Sequence, residues 1–103
     1  MKTDRFSAIP NEWVGISKLF VALGDEQRQR ILLAFEPGER LNVSQIVSTS
    51  ALSRPAVSHH LKILREAGVL SCEKTGKEIY FWINRSAIMQ ALQGVHDYVK
   101  NQT

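Results

Sequence analysis

The stretch 43–70, VSQIVSTSALSRPAVSHHLKILREAGVL, constrains the fold of this chain more than any other segment. Its residues predict two short helices joined by a tight turn. Asn42 and Gln45 have the spacing of a capping box at the start of the first helix. Ser53 can cap the second helix, and Gly68 can supply the left-handed residue that ends it. The pattern is typical of a helix-turn-helix.

The second helix of this pair has two different faces. At 100° per residue, Val57, Leu61 and Leu64 fall within a sector of about 60° and predict the face that packs on the core. The opposite face carries small, polar or cationic side chains: Pro55, Ser58, His59 and Lys62. His60 lies at the edge of the apolar stripe, where a packed histidine or one that touches a phosphate is favoured over one that reads a base. A helix with such an outer face can enter the major groove of DNA.

The positive charge of the chain is concentrated on the same segment. Residues 44–77 hold five Lys and Arg against two Glu, whereas the rest of the chain holds eight cations against eight anions. The whole formal charge of +3 therefore lies on the segment expected to meet DNA. Neutralisation of phosphates requires a charge placed in this way.

The remaining patterns predict a mainly α fold with a small β-hairpin, a winged helix-turn-helix. Asp25 can cap a helix that Pro37 and Gly38 stop, and Asn84 or Ser86 can cap the last helix. Two short strands around 75–77 predict the hairpin, with a possible very short strand near 41–43. The predicted elements are helices over 12–23, 26–35, 43–50 and 54–67, a hairpin over 69–83 and a helix over 86–100.

The chain of 103 residues predicts a single domain over 11–103, with a loose tail over 1–10. No apolar run approaches the roughly 18 residues of a membrane span, and the N-terminus lacks the apolar core of a signal peptide. A cytoplasmic protein is therefore expected. Cys72 is the single cysteine, which excludes a disulfide within the chain.

Both terminal helices carry clean apolar stripes that a winged core does not need. A domain of this size buries little surface on its own, so burial of both stripes against a second copy predicts a two-fold homodimer. The alternative is that both helices merely cover their own core. The residues expected at the dimer interface are Trp13, Ile16, Phe20, Ile88, Leu92, Val95 and Val99.

Three segments resemble the ArsR/SmtB family of bacterial winged-helix repressors: LGDEQRQRILLAF, SRPAVSHHLKILREAGVL and KTGKEIYFWIN. The resemblance covers about residues 13–100. It implies a homodimer, with the first and last helices at the interface, that represses transcription until an inducer releases it; the two-fold symmetry of such a dimer predicts a palindromic double-stranded DNA operator. By position, it implies that His60 and Lys62 touch bases or backbone and that Lys74 and Lys77 hold the flanking backbone. It implies major-groove contacts for Ser53, Arg54, Ala56, Ser58 and His59.

The chain departs from that family at its two commonest metal sites. Many members carry a Cys-x-Cys pair where the third helix begins, but residues 41–44 here read LNVS. Others bind zinc through Asp and His residues along the last helix, where this chain has only His96 and Asp97, which are adjacent and so lie on different faces. Zinc needs three or four converging ligands. The sequence therefore predicts no metal and no cofactor, and it does not identify the inducer.

Other functions have less support in the sequence. The chain has no Gly-rich phosphate loop, no G-x-S-x-G elbow and no carboxylate pair with a plausible cleft, so we do not expect an enzyme. One alternative is a winged-helix module that binds proteins, because a fold does not fix a function. Such a module should carry apolar anchors on the outer face of helix 54–67. Another alternative is a regulator that responds to redox state or to a small molecule.

Overall fold

The computed structural model describes residues 8–103 and confirms the mainly α winged helix-turn-helix with a hairpin. The predicted loose tail falls largely on residues 1–7, which lie outside the described residues; residues 8–10 are exposed and belong to no helix or strand. The elements are α1 (Asn11–Leu23), α2 (Glu26–Leu33), β1 (Leu41–Asn42), α3 (Val43–Thr49), α4 (Arg54–Glu66), β2 (Leu70–Thr75), β3 (Glu78–Ile83) and α5 (Arg85–Gln102).

The three strands form one antiparallel sheet in the order β1-β3-β2. The hairpin pairs Leu70 with Ile83 at its base and Thr75 with Glu78 at its tip. Gly76 turns the chain between them with a φ of 64°, in the region that favours glycine. The short strand expected near 41–43 is β1, which pairs with β3 and anchors the start of α3 to the sheet.

Helix α2 ends two residues earlier than the sequence predicts. We expected a helix over 26–35, but α2 ends at Leu33. The N–H groups of Ala34 and Phe35 donate to carbonyl oxygens only three residues back, at 3.1 and 3.3 Å, which tightens the last turn. Pro37 disfavours helical backbone at the residue before it, and Phe35 turns into the core instead. The other predicted helix bounds lie within two residues of the observed ones.

A single apolar core runs through the described residues and fixes the orientation of α4. The predicted stripe of Val57, Leu61 and Leu64 is fully buried in this core, which leaves the other face of α4 in solvent. The core draws on every helix and on the hairpin. Its buried members are Leu19, Ala22, Ile31, Phe35, Ile46, Val57, Leu61, Leu64, Val69, Leu70, Phe81 and Ala91.

The first and last helices pack against each other within the same chain. The rings of Trp13 and Tyr98 meet edge to face with centroids 5.4 Å apart. A Cβ added to Gly94 would lie 2.9 Å from Cδ1 of Ile16, so the absence of a side chain at this glycine permits the close approach of α1 and α5. Part of the predicted dimer stripe is therefore covered by the chain itself.

Candidate nucleic-acid interface

Helix α4 is capped at both ends by the residues that the sequence predicts. The hydroxyl of Ser53 accepts a hydrogen bond from the N–H of Ala56 at 3.3 Å, and Pro55 lies in the first turn. Gly68 has a φ of 80°, in the left-handed region. The N–H groups of Gly68 and Val69 donate to carbonyl oxygens of the last turn at 3.0 and 2.9 Å, which is the Schellman arrangement. The helix therefore has fixed ends and a fixed length.

The preceding helix, α3, is held by the predicted capping box. The N–H of Gln45 donates to the side chain of Asn42 at 2.9 Å, and the N–H of Asn42 donates to the side chain of Gln45 at 2.8 Å. In the turn that follows, the N–H of Leu52 donates to the hydroxyl of Ser50 at 2.8 Å. These bonds satisfy backbone groups at the two places where the chain changes direction. They set the angle at which α4 follows α3.

The outer face of α4 and the tip of the hairpin present the predicted DNA contacts to solvent. Ala56 and His60 are half-buried on α4. Lys74 and Lys77 are exposed and lie on either side of the hairpin turn, as expected of a wing. The remaining predicted contacts are all exposed: Ser53, Arg54, Ser58, His59 and Lys62. The face that carries them is polar and cationic, which suits a phosphate-lined groove.

Arg54 bridges the two helices at the start of α4. Its Nη1 donates to the hydroxyl of Ser44 in α3 at 2.9 Å. A guanidinium has five N–H donors, so four remain free to meet a base or a phosphate. The bond to Ser44 limits the directions in which the long side chain can point, and the sequence pattern did not reveal it.

His60 makes a contact that the sequence analysis missed. Its Nδ1 lies 3.3 Å from Nη1 of Arg28, a residue of α2 that was not among the candidate site residues. Arg28 is also held by the end of α1, because its Nε donates to the carbonyl oxygen of Ala22 at 2.6 Å. His60 is thus a packed histidine with a partner, and its contact with DNA stays a prediction.

Asp25 stabilises the start of α2 and thereby the position of Arg28. Its carboxylate accepts hydrogen bonds from the N–H groups of Arg28 at 3.1 Å and of Gln27 at 2.8 Å. These hydrogen bonds, first that from Arg28, and the nearby guanidinium hold the pKa of Asp25 below its usual value. The predicted cap at Asp25 is confirmed.

A cleft of about 690 Å³ lies between the loop after α2 and the end of β3. The guanidinium of Arg40 stacks 3.9 Å from the centre of the Trp82 ring and its Nη1 lies 3.4 Å from a carboxylate oxygen of Glu73. A cation over an aromatic face is attracted by the ring quadrupole. The residues that line the cleft lie outside the set predicted to contact DNA. Cys72, on the neighbouring strand β2, is half-buried opposite Phe81.

Residues 8–103 contain no group of three or more His, Cys, Asp or Glu side chains that could hold a metal ion. His96 and Asp97, the two candidates on α5, are exposed and adjacent, with 3.5 Å between Nδ1 and the carboxylate. Within the same range, none of the helices has the length and hydropathy needed to cross a membrane.

Comparison with known proteins links this geometry to a family. Residues 25–71 match the family model described as bacterial regulatory protein, arsR family. The chain is 27% identical over 84 residues to the transcriptional repressor SdpR of Bacillus subtilis, covering 82% of this chain and 92% of that protein. It is 32% identical over 78 residues to the cadmium resistance transcriptional regulatory protein CadC of Listeria innocua, covering 76% of this chain and 66% of that protein.

A solved structure shows the same fold. The ArsR-like transcriptional regulator from Rhodococcus sp. RHA1 superimposes with a TM-score of 0.82 at 22% identity, covering 90% of this chain and 87% of that one. The segment matched by the family model contains the capped helices α2, α3 and α4. The outer face of α4 carries the exposed cationic side chains. The family consists of transcriptional regulators, not of enzymes, and its members bind double-stranded DNA operators. This chain belongs to the ArsR family and is a DNA-binding transcriptional regulator with a winged helix-turn-helix.

Proposed function

We propose that the protein is a transcriptional repressor that binds a palindromic operator as a homodimer. The observation that carries this proposal is the division of α4 into a fully buried apolar face and an exposed polar, cationic face. Arg54 and His59 read bases in the major groove, and Lys62, Lys74 and Lys77 contact phosphates. The same outer face lacks apolar anchors, which argues against docking of another protein there.

Repression is supported by the relatives. SdpR carries the name of a transcriptional repressor, and it matches this chain over most of both lengths. A protein that occupies the major groove and the flanking backbone of an operator excludes other proteins from that DNA. We place the repressor in the cytoplasm, where bacterial DNA is accessible to it, as one domain over residues 11–103.

The homodimer is supported by apolar side chains that remain in solvent on both terminal helices. Phe20 of α1 is 42% exposed, and Leu92 and Val99 of α5 are 48% and 56% exposed. Ile16, Ile88 and Val95 are half-buried beside them and would extend the same surface, and Trp13 flanks it. A second copy related by a two-fold axis would cover these groups and place two α4 helices about 34 Å apart, one turn of DNA.

An inducer, if the protein has one, acts elsewhere than at the family's two commonest metal sites. Residues 41–44 supply no thiol at the start of α3. His96 and Asp97 supply two adjacent groups, and zinc needs three or four ligands that converge. The name of CadC refers to cadmium resistance; residues 8–103 of this chain hold no group of three or more His, Cys, Asp or Glu side chains that could bind such an ion.

The proposal is tested by selecting genomic fragments that the purified protein retains and measuring the affinity for a selected duplex and for a scrambled one. We expect tighter binding to the selected duplex and a dissociation constant that rises with salt concentration. Lys62→Glu should weaken binding to both duplexes, while Lys100→Glu, a matched change near the exposed end of α5, should leave it nearly unchanged. Equal affinities of the wild-type protein for both duplexes, or equal effects of the two substitutions, would contradict the proposed interface.

A further inference from the structure

Arg28 connects three helices of the fold through one guanidinium. Its Nε donates to the carbonyl oxygen of Ala22 at 2.6 Å, and its Nη2 donates to that of Val21 at 3.4 Å. Both carbonyls belong to the last turn of α1, where the helix dipole attracts a cation. Its third donor group, Nη1, lies 3.3 Å from Nδ1 of His60 on α4. The guanidinium is therefore anchored on one side and directed at the DNA-binding helix on the other.

The chemistry of this contact determines which nitrogen of His60 carries the proton. A guanidinium only donates hydrogen bonds, so Nδ1 of His60 must accept one and cannot itself be protonated. In the neutral ring the proton then lies on Nε2, across the ring from Arg28. The ring is half-buried and sits next to the outward-facing His59. Arg28 thus leaves Nε2–H as the donor that His60 can offer to another molecule.

We propose that Arg28 is a positioning residue for DNA binding: it holds Nδ1 of His60 so that Nε2–H of the ring donates to a phosphate of the operator. This inference rests on the proposed function, in which the outer face of α4 enters the major groove. His60 lies at the flank of that face, and a side chain at the flank of a helix in the groove meets the DNA backbone before it meets a base edge. A fixed ring also loses less conformational entropy when it binds.

A purely structural role for Arg28 makes a different prediction. The bonds to Val21 and Ala22 tie α2 to the end of α1 whether or not a histidine is present at position 60. If Arg28 only stabilises the fold, its loss should weaken DNA binding to the same extent in a protein that lacks His60. If it acts through His60, its loss should have no further effect once the imidazole is gone.

The test is a double-mutant cycle on the full chain, with Arg28→Gln, His60→Ala and the combined variant. Affinities are measured by fluorescence anisotropy for a duplex selected by the wild-type protein and for a scrambled duplex. Each single substitution should weaken binding by roughly tenfold, as expected for a hydrogen bond to a charged group, and the double variant should be no weaker than either. Because a phosphate contact carries no sequence information, both duplexes should lose the same factor.

Conservative variants of His60 add a second readout. The amide nitrogen of His60→Gln lies near the position of Nε2 and keeps the outward donor, whereas that of His60→Asn lies near Nδ1. We expect His60→Gln to retain most of the binding and His60→Asn to lose it. Thermal unfolding shows whether each variant is folded; if Arg28→Gln is not, Arg28→Lys replaces it in the cycle, since lysine keeps the charge without the planar fork.

Several outcomes would overturn the inference. Losses that add up in the double variant, an unchanged affinity for either single variant, or equal binding by His60→Gln and His60→Asn would each show that Arg28 does not act through Nε2–H. In these cases the wild-type protein still binds its selected duplex and the proposed function stands. A wild-type protein that binds no duplex would overturn both.

Discussion

Replacing Arg54 by alanine removes a guanidinium that is exposed at the first position of α4 and bonded to Ser44 at 2.9 Å. Its four remaining donors allow a bidentate contact with a guanine, which is worth about 1–3 kcal/mol of discrimination. The bond to Ser44 is in solvent, so its loss should cost the fold less than about 1 kcal/mol. We therefore expect Arg54→Ala to raise the dissociation constant for the selected duplex roughly 5- to 150-fold while the protein stays folded.

The assay measures both a selected and a scrambled duplex over a range of salt concentrations. For Arg54→Ala, the loss should be larger on the selected duplex, so the ratio of the two affinities falls. Lys77→Ala on the wing serves as the contrast: it should weaken both duplexes alike and reduce the slope of log affinity against log salt by roughly one. Ser44→Ala separates the bridge from the base contact. Equal losses on both duplexes for Arg54→Ala would remove this residue from the base-reading set.

Three further predictions concern assembly, signal and stability. Leu92→Asp should split the dimer in light scattering and weaken binding to a full palindrome far more than to a half-site, because it places two unpaired carboxylates near the two-fold axis. Gln90→Asp, at an exposed position on the opposite face of α5, is the control. Submicromolar zinc, cadmium or arsenite should leave operator affinity unchanged, and a stoichiometric metal that releases the DNA would contradict this. Because folding lowers the pKa of Asp25 below its unfolded value of 3.8, the ionised carboxylate stabilises the fold at pH values above 3.8, and this stabilisation is lost as the pH falls through the folded pKa. The difference in melting temperature between wild type and Asp25→Asn should therefore shrink as the pH falls from about 6 to about 3.

The parts of the fold that could be predicted from sequence are those set by neighbours along the chain. The capping box of Asn42 and Gln45, the cap at Ser53 and the left-handed Gly68 each depend on residues within about one helical turn, and all three are confirmed. The buried stripe of α4 follows from the helical period alone, and its burial leaves the polar face outward. The end of α2 was placed two residues too late because the tight last turn before Pro37 has no distinct sequence signal.

The contacts that shape the candidate site join residues that are far apart in sequence. Arg28 and His60 are separated by 32 positions, so the pair leaves no periodic pattern that a single sequence could show. Sequence analysis placed His60 at the edge of the core stripe from the helical angle alone. Its partner comes from α2, and only the packing of α2 beside α4 brings the guanidinium to the ring.

The same distinction applies to the surface expected to join two copies. The helical period identified the apolar positions of α1 and α5, but it could not divide them between the chain's own core and a partner. In the structure Ile16 lies against Gly94 of the same chain, while Leu92 and Val99 remain in solvent. Val14 and Val21 of α1 and Met89 of α5 are also exposed, although they were not part of the predicted stripe. If a dimer buries α5 around Leu92, helix α1 lies between that interface and α4 in the fold. Helix α1 packs on both α5 and α4, and the carbonyl oxygen of Ala22 in its last turn accepts a hydrogen bond from Arg28.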